Sequence, residues 1–218
     1  MKRAVFAVLM AVVLPIVTVA CGVSASIEDK AINAFKKTFD DYKVGVFSNE
    51  EMDQIVKSFD ELGLSAEANK NLVDTFKNIF SKIKYDVKSC QADPEQESVY
   101  VISANITTVD GVVVFMSNSV IDAMIDKMIE LATGGETDET ILFKAGMDTF
   151  CKETLNASKT AIANKTSSIE LRFEYDSKAN VFTPQIDDET AYLLCGLGAD
   201  FDEAFQNKID ERMGEKLS

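Results

Sequence analysis

The sequence predicts an α+β domain: one four-stranded antiparallel sheet, assembled from two β-hairpins and covered by helices in a two-layer arrangement. The period of the apolar residues switches from 3.6 to 2 near Lys82 and again ahead of Ile169. The stretches of period 2 come in pairs across turn sequences, and the order helix, hairpin, helix occurs twice, at about residues 66–132 and 138–212. An isolated hairpin is marginal in water, so pooling both into one sheet is the economical way to bury their apolar faces. Two small domains joined near Gly134 are the alternative. The linker there is a few residues long and lacks a flexible composition, which favours one unit over residues 28–212, helical through residue 82 and sheet-containing after it.

The first twenty residues read as processing information. Lys2 and Arg3 form a basic head, Ala4 to Val19 an apolar core broken by Pro15 and Thr18, and Ala20-Cys21 follows, which is the pattern of an export signal. The run is shorter than the roughly 20 residues of a membrane-spanning helix, the other structure such a core could form. Thr18-Val19-Ala20-Cys21-Gly22 resembles the lipobox of bacterial lipoproteins, in which the Cys thiol receives diacylglycerol and becomes the mature N-terminus. Ala20 and Gly22 fit that pattern, and Thr18 departs from it, because the third residue before the Cys is normally aliphatic. Ordinary cleavage after Ala20 or Ala25, giving a secreted protein, is the alternative. Lipidation of Cys21 implies a signal peptide at 1–20, a short lipidated tether at 21–27, and stable anchoring by acyl chains such as palmitate at the extracytoplasmic face of the cell membrane.

The elements then follow in order. Ala31, Phe35, Phe39 and Tyr42 recur at helical spacing and predict a helix over about 28–44, ended by Gly45. Ser48-Asn49-Glu50-Glu51 has the form of a capping box ahead of Met52, Ile55, Val56, Phe59 and Leu62, and Gly63 closes that helix. Ser65 caps a third, with Leu72, Val73, Phe76, Ile79 and Phe80 on one side. Ile83, Tyr85 and Val87 alternate with polar residues up to Cys90, residues 92–96 form a turn, and 98–109 alternate again. Val112 to Phe115 either extends that strand or opens a helix. Val120/Ile121, Met124/Ile125 and Met128/Ile129 mark an amphipathic helix stopped by Gly134 and Gly135. A helix over 138–163 leads to a strand at 169–175, a turn at 176–180 and a short strand at 181–183 ended by Pro184. Asp187 caps a last helix bearing Leu194, Gly198, Phe201, Phe205 and Ile209.

Composition excludes more than it assigns. The 218 residues contain no His, so the chain supplies no imidazole base or metal ligand, and most hydrolytic triads and ordinary zinc-enzyme sites drop out. Past residue 20, 20 basic side chains face 36 acidic ones, which argues against nucleic acid as a partner. Beyond Cys21 there are Cys90, Cys151 and Cys195, an odd number spaced unlike any redox or zinc pattern. Asp40-Asp41 and Asp176 fail as calcium loops because Lys43 and Lys178 stand where ligands belong. Asp187-Asp188-Glu189 is explained by a helix start. No glycine-rich phosphate loop is present. No metal and no cofactor is expected.

The lipobox-like Cys21, the acidic exported domain and the order of helices and hairpins resemble uncharacterised bacterial lipoproteins with an NTF2-like or cystatin-like α+β domain. Such a domain implies a curved sheet and a helix around a concave pocket, and implies no catalytic residue. Tyr85, Tyr100, Phe173 and Tyr175 are strand aromatics that either line such a pocket or pack as core. Arg172, the one Arg between the signal and Arg212, shares a strand face with Glu170 and Glu174. It is either part of a charge network or a counter-ion for an anionic ligand. The expectation is a membrane-anchored, non-enzymatic protein whose partner is a small ligand, a peptide or an envelope protein. A structural lipoprotein without a ligand is the alternative, and a carboxylate-dependent enzyme comes third.

Overall fold

Strand β1 (Val17–Thr18), helix α1 (Ile27–Lys43), helix α2 (Ala66–Phe80) and the hairpin β2 (Lys84–Ala92) and β3 (Val99–Val109) open the chain. Helices α3 (Gly111–Phe115), α4 (Asn118–Thr133) and α5 (Glu139–Thr160) follow. The hairpin β4 (Ala163–Asp176) and β5 (Val181–Gln185) and helices α6 (Asp188–Leu194) and α7 (Phe201–Leu217) complete it. The computed structural model describes residues 17–18, 26–44, 63–185, 187–198 and 200–217. Cys21 and the helix expected from the stripe Met52, Ile55, Val56, Phe59 and Leu62 lie outside them.

The sheet is antiparallel throughout, in the order β1-β5-β4-β3-β2. The expected four strands from two hairpins are present, with a two-residue strip of β1 added beside β5. Tyr100 pairs with Phe173 and Phe173 with Pro184, so one row of the sheet crosses three strands. Alternation puts Tyr100, Ile102, Ala104, Ile106, Ile169, Leu171, Phe173 and Phe182 on a buried face. The other face is polar, with Thr107 beside Thr166 at 2.8 Å and Ser168 donating to Asn105 Oδ1 at 2.9 Å.

Helix α1 lies on the buried face. Ser26 and Asp29 form its capping box, and Ala31, Ala34, Phe35, Phe39 and Tyr42 are buried beneath it. The Phe35 ring meets Phe173 at 6.2 Å and Tyr85 at 5.5 Å, and Tyr42 stacks on Phe80 at 5.6 Å. From Phe80 the rings continue through Phe76, Phe115 and Phe150 to Phe205. One continuous core therefore joins the sheet to the helices.

Helices α2 and α5 both end where the sheet begins, at Lys84 and Ala163. Lys82 ties them together: its ammonium donates to the carbonyls of Ser158 at 2.6 Å, Lys159 at 3.2 Å and Ala161 at 2.7 Å, covering the negative end of α5.

The expected single last helix is two. Leu197 N–H donates to Tyr192 O at 2.8 Å and Gly196 N–H to Leu193 O at 3.0 Å, a Schellman stop that ends α6 with Gly196 at φ +68°. The Gly196 carbonyl then accepts from Gly111 N–H at 3.0 Å and Lys165 Nζ at 2.9 Å, while Thr108 Oγ1 donates to Leu194 O at 3.0 Å. Strand β4 begins at Ala163, inside the span expected for the preceding helix, because β3 supplies partners as far as Val109. Val112 to Phe115 is helical, capped by Asp110.

A methyl group on Gly196 would stand 1.8 Å from Val109 O. Gly196→Ala is expected to cost about 3 kcal/mol or more in urea unfolding, from backbone strain and lost packing together. Gly214→Ala, in α7 with open space at its Cβ, should be neutral or stabilising by up to about 1 kcal/mol. In the α4–α7 contact, Arg212 donates from Nε and Nη2 to the two Asp122 oxygens at 2.8 and 2.7 Å and holds that carboxyl below its ordinary pKa. A depressed carboxyl pKa contributes stability that is complete above about pH 4 and is lost as the pH falls through the folded value. Asp122→Asn should therefore flatten the acid limb of stability measured between pH 7 and pH 3.

Candidate functional site

The sequence-flagged aromatics lie together, under α1 and along the sheet. Phe173 is fully buried against Phe35, and Tyr100 is buried with its ring edge-on to Phe182 at 5.9 Å. Tyr175 is half-buried, stacks on Phe182 at 4.7 Å and donates its hydroxyl to Asn180 Oδ1 at 3.0 Å. Tyr85 packs against Phe35 and Phe39, donates to Asp40 Oδ1 at 3.0 Å and carries Lys43 Nζ 4.4 Å above its ring. Burial, then the Asp40 carboxylate that accepts its proton, pushes the Tyr85 pKa up to about 12. The space a concave pocket would need is filled by α1 side chains.

Arg172 is on the opposite face, separated from all four aromatics by the sheet. It pairs with the buried Asp93 at 3.4 Å, which anchors the turn after β2, and its neighbours Glu170 and Glu174 take hydrogen bonds from Ser103 and Gln185. Among the described residues no ion pair joins Arg172 to Glu170 or Glu174, so its charge is met across the turn and not along the strand.

Cys90 and Cys151 are free thiols. Burial pushes Cys151 up to about 12 and Cys195 higher, so neither is a thiolate at neutral pH. Cys90 is raised to about 11 by burial and then by Glu28 and Asp29, which places the start of α1 beside the end of β2.

A groove that sequence reasoning missed lies among the helices. Its floor is α5, where Ala145, Asp148, Thr149 and Lys152 recur at helical spacing on one face. Helix α2 forms one wall and Lys127 of α4 the other, around about 290 Å³. Two small features shape it. Gly146 lets α4 press onto α5, since a Cβ there would meet Met128 Cγ at 2.7 Å, and Ala68 and Ala145 leave the gap open. Asp148 Oδ1 accepts from Ser65 N–H at 3.1 Å, tying the start of α2 to α5. Lys127 pairs with Glu130 at 3.0 Å, whereas Lys152 and Glu67 make no ion pair among the described residues. The groove thus presents two ammonium groups and two carboxylates on three helices. Among the described residues, no group of acidic and Cys side chains is placed to hold a metal, and no helix is long and apolar enough to cross a membrane.

No family model matches this chain. No curated protein matches it in sequence either. A solved structure similar to it is that of a Bacillus subtilis protein described as a "putative lipoprotein (ycdA)", at 14% identity and a TM-score of 0.36. The match takes in 79% of this chain and 47% of the other, so the chain spans about half the length of that protein.

In a residue-resolved NMR titration, Tyr85 is expected to ionise near pH 12. Asp40→Asn should lower that value while leaving it above 10, because burial is the larger of the two causes. A Tyr85 that ionises at an ordinary pH in the unaltered chain would refute the packing described.

Proposed function

We propose that this chain is an extracytoplasmic lipoprotein, anchored through acylated Cys21 after removal of residues 1–20, whose folded domain binds a ligand or partner and carries out no catalysis. The observation that carries the anchor is the run of basic head, apolar core and Val19-Ala20-Cys21-Gly22. Geometry supports it: Ser26, the cap of α1, is five residues past Cys21, a reach of at most about 18 Å. The sheet end that carries the start of α1 would then sit at the membrane surface. The absence of His and the high thiol pKa values support a non-enzymatic domain.

The alternative, a structural lipoprotein without a small ligand, is favoured by one observation: α1 fills the sheet face where a pocket was expected.

Intact-mass analysis of the membrane fraction from the native cell, comparing the natural chain with Cys21→Ser, tests the anchor. The expected result is a species beginning at Cys21 with added acyl mass, which the variant abolishes. An unmodified chain released to the medium would overturn the anchor and leave a secreted protein.

A further inference from the structure

We propose that the groove over α5 is a binding site for a short zwitterion, specifically a dipeptide with small side chains. The inference rests on the ligand-binding half of the proposed function and is independent of the acyl anchor.

On α5 a carboxylate and an ammonium follow one another along the groove. Helices α2 and α5 run in the same direction, with Ser65 beside Asp148 and Asn78 beside Ser158. Asp148 and Glu67 therefore mark the end nearest the start of α2, and Lys152 lies one helical turn further along, about 6 Å. An extended dipeptide separates its terminal ammonium and carboxylate by a similar distance, about 7 Å, whereas a single amino acid spans about half that. The ammonium would meet Asp148 and Glu67 and the carboxylate would meet Lys152, while Lys127, whose helix crosses at Gly146, is held by Glu130. The volume, about 290 Å³, is at the small end of ligand sites, and the buried Ala68 and half-buried Ala145 leave room only for short side chains. Asn71 and Thr149 line the middle, where a peptide amide lies.

The lining carries two positive and two negative charges, so a ligand of net charge is not matched but a dipolar one is. The site is also on a different part of the molecule from the tether. Helix α1 starts at the sheet end that holds Cys90 and Tyr100, whereas the groove helices α2 and α5 join the sheet at its other end, at Lys84 and Ala163. An anchored domain therefore keeps the groove free to meet solutes outside the cell.

The test is an NMR titration of the processed protein with L-alanyl-L-alanine, its N-acetyl form and its C-terminal amide. Binding of about millimolar strength is expected, with shifts confined to residues 65–71, Lys127 and 145–152, and each blocked analogue about tenfold weaker. Lys152→Met should bind the dipeptide and its amide alike, and Asp148→Asn should bind the dipeptide and its acetyl form alike. Asp148→Asn retains an oxygen acceptor for Ser65 N–H, so it tests charge rather than the helix cap. Shifts outside the groove, no shifts up to about 20 mM, or equal binding of the blocked analogues to the unaltered chain would overturn the proposal. None of these outcomes alters the mass result at Cys21, so the two ideas fail separately.

Discussion

Everything in this fold follows from the need to keep one sheet face out of water. Strands β3 and β4 present Tyr100, Ile102, Ile106, Leu171 and Phe173 on the same side, and β5 adds Phe182. Fully burying each such side chain is worth about 1.5–3 kcal/mol, so leaving the face open would forfeit several such contributions at once. Helix α1 answers with Phe35 and Phe39, placed four residues apart so that both rings point down. The same rings occupy the volume that a concave pocket over the sheet would need, and the aromatic chain running on through Phe80 and Phe115 makes the helices part of the same core. The polar groove lies instead where α2, α4 and α5 meet.

Two devices fix the helices relative to that sheet. The close approach of Gly196 to Gly111 and Val109 seats α6 against the end of β3, and the Lys82 ammonium gathers three carbonyls at the end of α5. Both use main-chain carbonyls as acceptors, which hold backbone positions more firmly than exposed side-chain ion pairs do. The groove inherits its shape from these positions: α5 is held at one end by Lys82 and pressed by α4 at Gly146, and Asp148 then aligns α2 beside it.

Local pattern carried much of this. The spacing of Ala31, Phe35, Phe39 and Tyr42 marked α1, and the strict alternation through Tyr100, Ile102, Ala104 and Ile106 marked β3, because each pattern is complete within one element. Strand β4 is longer than its alternation predicts: Thr166 and Ser168 lie outside any apolar alternation and are strand because Thr107 and Asn105 of β3 pair with them. The last helix was read as continuous because Gly198 falls in register with Leu194 and Phe201, and the break at Gly196 depends on a contact with Gly111, 85 positions earlier. The groove could not be read at all. Asp148 and Lys152 look like an ordinary exposed pair four apart, and only the folded chain brings Glu67 and Lys127 to them.

Strand β1 has a further consequence. If residues 1–20 are removed as proposed, Val17 and Thr18, which pair with Phe182 and Val181, go with them and the sheet loses its outermost strip. The border left behind is β5, five residues long and containing Pro184, which has no N–H to offer another strand. At the opposite border, β2 carries Lys84, Asp86 and Lys88 and an irregular register between Val87 and Ser89. Neither border is a good template for strand addition. Acyl chains would confine many copies to two dimensions, where neighbours collide often, and a sheet with blunted borders lets such a crowded layer remain a layer of separate molecules.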